Sequence, residues 1–135
     1  MIHINYLAIA VATVLAFLFS AGLYILLNKQ VMAARGVKPD KDGKFKMAMT
    51  PNKILAELVR TFILGLVIAY AVALLNLLYF NQAVLLAAWL WIGFPVVLLA
   101  GSIMHENFPP RLAAIHAGDW LVKLMIFAVI LTLWR

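Results

Sequence analysis

The chain has 135 residues, 67% of them hydrophobic and 12% charged, with no cysteine and a formal net charge of +6. Soluble domains average about 25% charged residues, so this balance, with a mean hydropathy of +1.04, describes a membrane protein of several spans and little room for a separate soluble module. Disulfides, thiolate metal sites and cysteine nucleophiles are excluded. The positive charge is gathered in one loop, a pattern of membrane topology, and nucleic acid is not expected as a partner.

The first apolar run, over residues 4–27, is long enough to cross a hydrocarbon core of roughly 20 helical residues. Nothing basic precedes it, and its core exceeds the roughly 7 to 15 residues of a cleavable signal, so it is read as a true span. Thr13, Ser20 and Tyr24 lie within about 40° of one another on its surface and read first as interhelical packing and hydrogen-bonding groups.

A basic loop over 28–53 follows, with Lys29, Arg35, Lys38, Lys41, Lys44, Lys46 and Lys53. This asymmetry places the loop in the cytoplasm and both termini outside. The loop can also attract anionic lipid, at about 1 kcal/mol for each nearby Lys or Arg. Gly36, Pro39 and the Asp42-Gly43 pair break any continuous helix through it, and Thr50-Pro51 predicts a capped helix start.

The second and third spans are predicted over 54–80 and 83–104, joined by "FNQA", which carries no charge. Glu57 and Arg60 sit one turn apart near the loop end of span two. Asn76, Tyr70 and Ser102 read as packing groups. Gly93 and Pro95 in "WIGFPVV" predict a kink in span three. Trp89 and Trp91 lie deep along that span, whereas Tyr79 and Trp134 read as interfacial anchors. His105 and Glu106 close span three, and Pro109-Pro110 ends it and starts a fourth span over 112–134. Helices are the only form these runs support, because lipid leaves backbone polar groups unpaired and the alternation of barrel strands is missing. The expected fold is an all-α, integral membrane four-helix bundle forming one domain.

Span four carries the costly residues. His116, Asp119 and Lys123 fall within roughly 60° of one another, and the Asp119-Lys123 spacing favours an intrahelical ion pair. His116 lies one turn from Asp119, which can fix its tautomer. Trp120 flanks the stripe as a wall or as lipid-facing packing. One intramembrane charge costs about 2.5–3.5 kcal/mol at a helix centre, so the group is a candidate ligand or ion site formed by Glu57, Arg60, His116, Asp119, Lys123 and Trp120. The bland alternative is a neutralised strut that fixes helix register. A metal set of His105, Glu106, His116 and Asp119 is a further alternative, although no compact ligand motif is present. Metal-free acid-base chemistry by His116 and Asp119 lacks a nucleophile elbow or oxyanion arrangement. No cofactor and no catalytic residue are assigned.

The segments "INYLAIAVATVLAFLFSAGLY", "WLWIGF" and "HAGDWLVKLMIFAVILTLW" resemble a family of small four-span bacterial membrane proteins catalogued as domain of unknown function seventeen-sixty-one. The resemblance spans nearly the whole chain and rests most on Asn5, Tyr6, Gly93, Phe94, Asp119 and Trp134. The family carries an aromatic residue where Tyr24 stands, followed by a short basic or glycine-bearing segment. Lys123 has no match in its pattern. The resemblance implies a compact helical domain in a bacterial inner membrane, and it implies no activity, substrate or cofactor.

Three functions follow, in order. The first is a small binding or transport module with a cytoplasm-facing site for a proton, ion or polar solute. A water-filled cavity at Asp119 favours it, and a dry, fully paired cluster opposes it. The second is a structural or accessory subunit that assembles with itself or with a larger membrane complex. The third is an intramembrane enzyme. Small multidrug transporters are a poor comparison, because their first-span glutamate has no counterpart between Ile4 and Leu27.

Overall fold

The computed structural model describes residues 2–45 and 49–135. Lys46 of the basic loop lies outside the described residues. Among the described residues, four helices are long and apolar enough to cross a membrane: Tyr6–Leu26, Pro51–Leu74, Phe80–Glu106 and Pro110–Leu133. We label Tyr6–Leu26 α1, Asn28–Ala34 α2 and Pro51–Leu74 α3. The third span comprises α4 (Phe80–Trp91), a π-helical turn (Ile92–Val96) and α5 (Val97–Glu106), and α6 is Pro110–Leu133. No strand occurs among the described residues.

Local chemistry sets the ends. The Asn5 side chain accepts from the Ala8 amide at 3.0 Å and starts α1. The Thr50 hydroxyl accepts from the Lys53 amide, with Pro51 in the first turn of α3, where a missing N–H costs nothing. The short helix α2 lies within the loop expected to be broken. Its termination agrees with the sequence, because Gly36 takes a positive φ of 73° just beyond it.

Two boundaries depart from expectation. Span two stops at Leu74 rather than at residue 80, and "FNQA" lies inside α4. Asn76 adopts the left-handed conformation at φ 50°, and the Leu77 amide returns to the Val72 carbonyl, a helix-ending pattern that Asn tolerates better than branched residues. The Tyr79 and Leu78 amides then donate to the Gln82 side chain, which caps α4. Asn107 plays the same part after α5, with φ 53° and the Phe108 amide on the Ser102 carbonyl. That helix therefore ends at an asparagine before the two prolines, and Pro110 begins α6. The expected disturbance at Gly93 and Pro95 takes the form of the π turn. Its longer-range amide-to-carbonyl pairing lets a helix pass a residue that has no N–H.

The bundle is organised around α6, which packs against α1, α2, α3, α4 and α5. Helix α1 also packs on α3, whereas the third span rests mainly on α6. Trp91 fastens that contact, its indole N–H donating to the Ala117 carbonyl of α6 at 2.7 Å. Trp89, two residues earlier, is 67% exposed and faces away from the bundle. The core joins Ala8, Ile9, Ala12 and Ala16 of α1 to Ile68 and Val72 of α3 and to Phe127 and Ala128 of α6. Lipid tails are as apolar as these side chains, so close packing rather than water exclusion holds the helices together.

The tightest approach is at Gly65. A Cβ there would lie 2.6 Å from Cε1 of Phe127 and 2.9 Å from Cγ2 of Ile9, both residues being fully buried. Gly65→Ala is expected to destabilise the bundle by about 1–3 kcal/mol through overpacking. Gly22→Ala, where nothing lies within 4 Å, is expected to stabilise α1 by about 0.5–1 kcal/mol, because alanine is the better helix former. Unfolding followed by circular dichroism in detergent checks the pair, and equal effects would contradict this packing.

Candidate functional site

The polar residues gather in the half of the bundle nearer the α1–α3 connection, hereafter the loop end. Helix α6 contributes His116, Asp119 and Lys123. At about 1.5 Å per residue, Asp119 lies roughly 14 Å along α6 from Pro110, well inside the span. Asp119 is 4% and Lys123 6% exposed.

A continuous line of polar contacts crosses three helices. Ser20 of α1 donates its hydroxyl to Asp119 Oδ1 at 2.5 Å. Asp119 Oδ2 lies 3.2 Å from the Lys123 ammonium. The same ammonium lies 3.2 Å from Oε1 of Glu57 on α3. The other Glu57 oxygen accepts from Arg60 at 2.8 Å, and the Arg60 side chain is 67% exposed. The line thus runs from a surface guanidinium to a buried hydroxyl, with two acids alternating with two bases. Opposite charges at contact distance offset the cost of taking each from water, provided their remaining hydrogen bonds are filled. Here both Asp119 oxygens have partners.

A second pair lies beside the first. His116 Nδ1 shares a hydrogen bond with the Tyr24 hydroxyl, and Phe108 stacks on the imidazole at 6.0 Å between ring centroids. Arg35 lies just beyond α2, toward the loop. The Lys123 ammonium also lies 5.8 Å from the centroid of the Trp120 ring, within cation–π range.

The six candidate ligand or ion residues fall into two neighbouring groups. Glu57, Arg60, Asp119 and Lys123 form one chain with Trp120 at its side. His116 pairs with Tyr24 rather than with Asp119. His105 and Glu106 are exposed at the end of α5, and among the described residues no three His, Asp or Glu side chains gather as metal ligands. Sequence reasoning placed Ser20 and Tyr24 on one face of α1 as interhelical packing and hydrogen-bonding groups, without assigning them to the site. Their spacing put them on one stripe, and only the neighbouring helix shows that the stripe meets Asp119 and His116. Thr13, the third member, bonds back to the Ile9 carbonyl of its own helix.

Removing one member of a buried ion pair strands the other, at a cost of about 3–5 kcal/mol, whereas replacing both by apolar residues is often neutral. Lys123→Leu alone leaves Asp119 with only the Ser20 hydroxyl and is therefore expected to destabilise strongly, and Lys123→Leu with Asp119→Leu to recover most of the loss. Detergent unfolding measurements on the single and double variants check the coupling, and additive losses would contradict it.

The family model described as a protein of unknown function, DUF1761, matches residues 7–132. That match takes in all four membrane-crossing helices except Tyr6 and Leu133 at their outer ends, and every member of the polar chain. No curated protein and no solved structure matches the chain. A multi-pass membrane protein by its four apolar helices, the chain belongs to the DUF1761 family.

Proposed function

We propose that this protein is a small proton-binding module of the bacterial inner membrane and the core of a proton-linked transport unit. Its basic connection lies in the cytoplasm, with residues 2–5 and 134–135 on the opposite side. The observation that carries this reading is the unbroken line Arg60–Glu57–Lys123–Asp119–Ser20. A fully paired cluster opposes a cavity-held ion or polar solute, so the binding reading is narrowed to a proton. A proton needs no cavity, because it moves along groups already in contact. Retaining several ionisable groups inside a span also favours function over mere stability, since an apolar replacement packs as well at lower cost.

The chemistry balances within the chain. Glu57 takes a proton from the loop side. Lys123 gives one of its protons to Asp119 Oδ2, and its amine regains one from Glu57 Oε1, so one proton moves inward and the ammonium is restored. The groups facing this path are Ser20 and Tyr24 from α1, Arg35 beyond α2, Glu57 and Arg60 from α3, and His116 from α6. Acidification on the loop side loads the path.

A structural or accessory role is the second reading, favoured by the same completeness of pairing around Asp119. In that case the cluster is a strut, and the protein assembles with itself or with another membrane protein.

The two readings separate in the lipid-reconstituted chain followed by infrared difference spectroscopy on acidification. The wild-type chain is expected to gain a protonated-carboxyl band, folded Asp119→Asn to lose that band, and Glu57→Gln to slow its appearance by about tenfold, equivalent to about 1.4 kcal/mol of barrier. A folded wild-type protein with no proton response would overturn the first reading and leave the strut.

A further inference from the structure

The other end of the bundle carries a separate feature. A cavity of about 240 Å³ lies among the residues preceding α1, the end of α3 and the end of α6. His3, Asn5, Asn76, Leu131, Trp134 and Arg135 are among its lining residues, and no acidic residue lines it. None of these residues belongs to the polar chain at the loop end.

The cationic side chain here is held by neutral acceptors. The Arg135 guanidinium donates to the Asn76 side-chain oxygen at 3.3 Å and to the Leu77 carbonyl oxygen. Both acceptors are neutral, and among the described residues no carboxylate pairs with Arg135. Its planar fork has further donors, a geometry that matches the oxygens of a phosphate. Asn5, the N-cap of α1, brings the positive end of that helix to the cavity rim, where an anion is favoured. His3 adds a third group able to donate to an oxyanion.

Position narrows the class further. Trp134 follows the last turn of a membrane-crossing helix, the level at which tryptophan sits among lipid headgroups. The oxyanion abundant at that depth is phosphate. Leu131, Val72 and Ala69 supply an apolar floor, suited to the glycerol and upper acyl carbons attached to such a group. We propose that this end of the protein is a phosphate-recognition site in which Arg135, His3 and the start of α1 hold the phosphate of a membrane lipid headgroup.

The test uses the full chain in detergent and native mass spectrometry, with dihexanoylphosphatidylglycerol as the probe and dihexanoylglycerol as its phosphate-free counterpart. The phosphate-bearing probe is expected to be retained and the phosphate-free one lost. Arg135→Gln is expected to weaken retention by about tenfold, the scale of one charge-assisted hydrogen bond, and His3→Ala to weaken it to a smaller degree. Lys38→Gln with Lys41→Gln in the basic loop, which attracts anionic lipid as diffuse charge, is expected to weaken retention less than Arg135→Gln does. Displacement by an equal concentration of inorganic phosphate would support the phosphate site and show that the free ion suffices. Failure of that displacement would support it and assign the headgroup as the ligand. Equal retention of both probes, or retention that survives in both the Arg135 and His3 variants, would overturn the proposal, as would retention lost only with the loop lysines. If Arg135→Gln loses its helical signal, His3→Ala decides alone.

Discussion

The Lys123 ammonium, held between Asp119 of its own helix and Glu57 of α3, is the interaction on which the loop-end half of this molecule depends. An amine in a membrane-crossing helix persists as a cation only with a countercharge at contact distance. Lys123 has two, and each carries a further partner, Ser20 for Asp119 and Arg60 for Glu57. One cation thereby ties α1, α3 and α6 to a common register. Replacing either acid by a neutral residue releases one side of the bridge.

Helix α6 can host this cluster because the far half of the bundle is packed so differently. Beyond Lys123 the helix presents Phe127 and Ala128, which meet alanines of α1 and the bare backbone of Gly65 on α3. The small residues bring the helices close enough for dispersion and weak polar contacts to hold them in lipid. The polar half and the apolar half thus divide the work along one helix, and the third span, pinned by Trp91 on the Ala117 carbonyl, completes the assembly from outside.

Much of this was legible in the sequence. Apolar run length gave four spans, and helical periodicity placed His116, Asp119 and Lys123 on one face. The Asp119-Lys123 pair followed from a spacing of four, and Glu57 and Arg60 stood one turn apart near the loop end of span two. The boundary between α3 and α4 was not legible, because "LLNLLYF" is as apolar as the spans around it. Hydropathy does not register the left-handed turn at Asn76 or the Gln82 cap. The partners of the site were illegible for another reason. That Ser20 meets Asp119 and Tyr24 meets His116 depends on how α1 is rotated against α6, which no single-helix pattern specifies. The pairing of Lys123 with Glu57 likewise joins positions 66 residues apart.

The account stands or falls on whether Lys123 bridges both acids at once. Solid-state NMR of the lipid-reconstituted chain, with nitrogen-15 on the Lys123 side chain and carbon-13 on the Asp119 and Glu57 carboxyls, measures this directly through dipolar coupling. The account predicts contact-range coupling from the Lys123 nitrogen to both carboxyl carbons at neutral pH. Coupling to only one of them, or to neither, in a folded protein would contradict it.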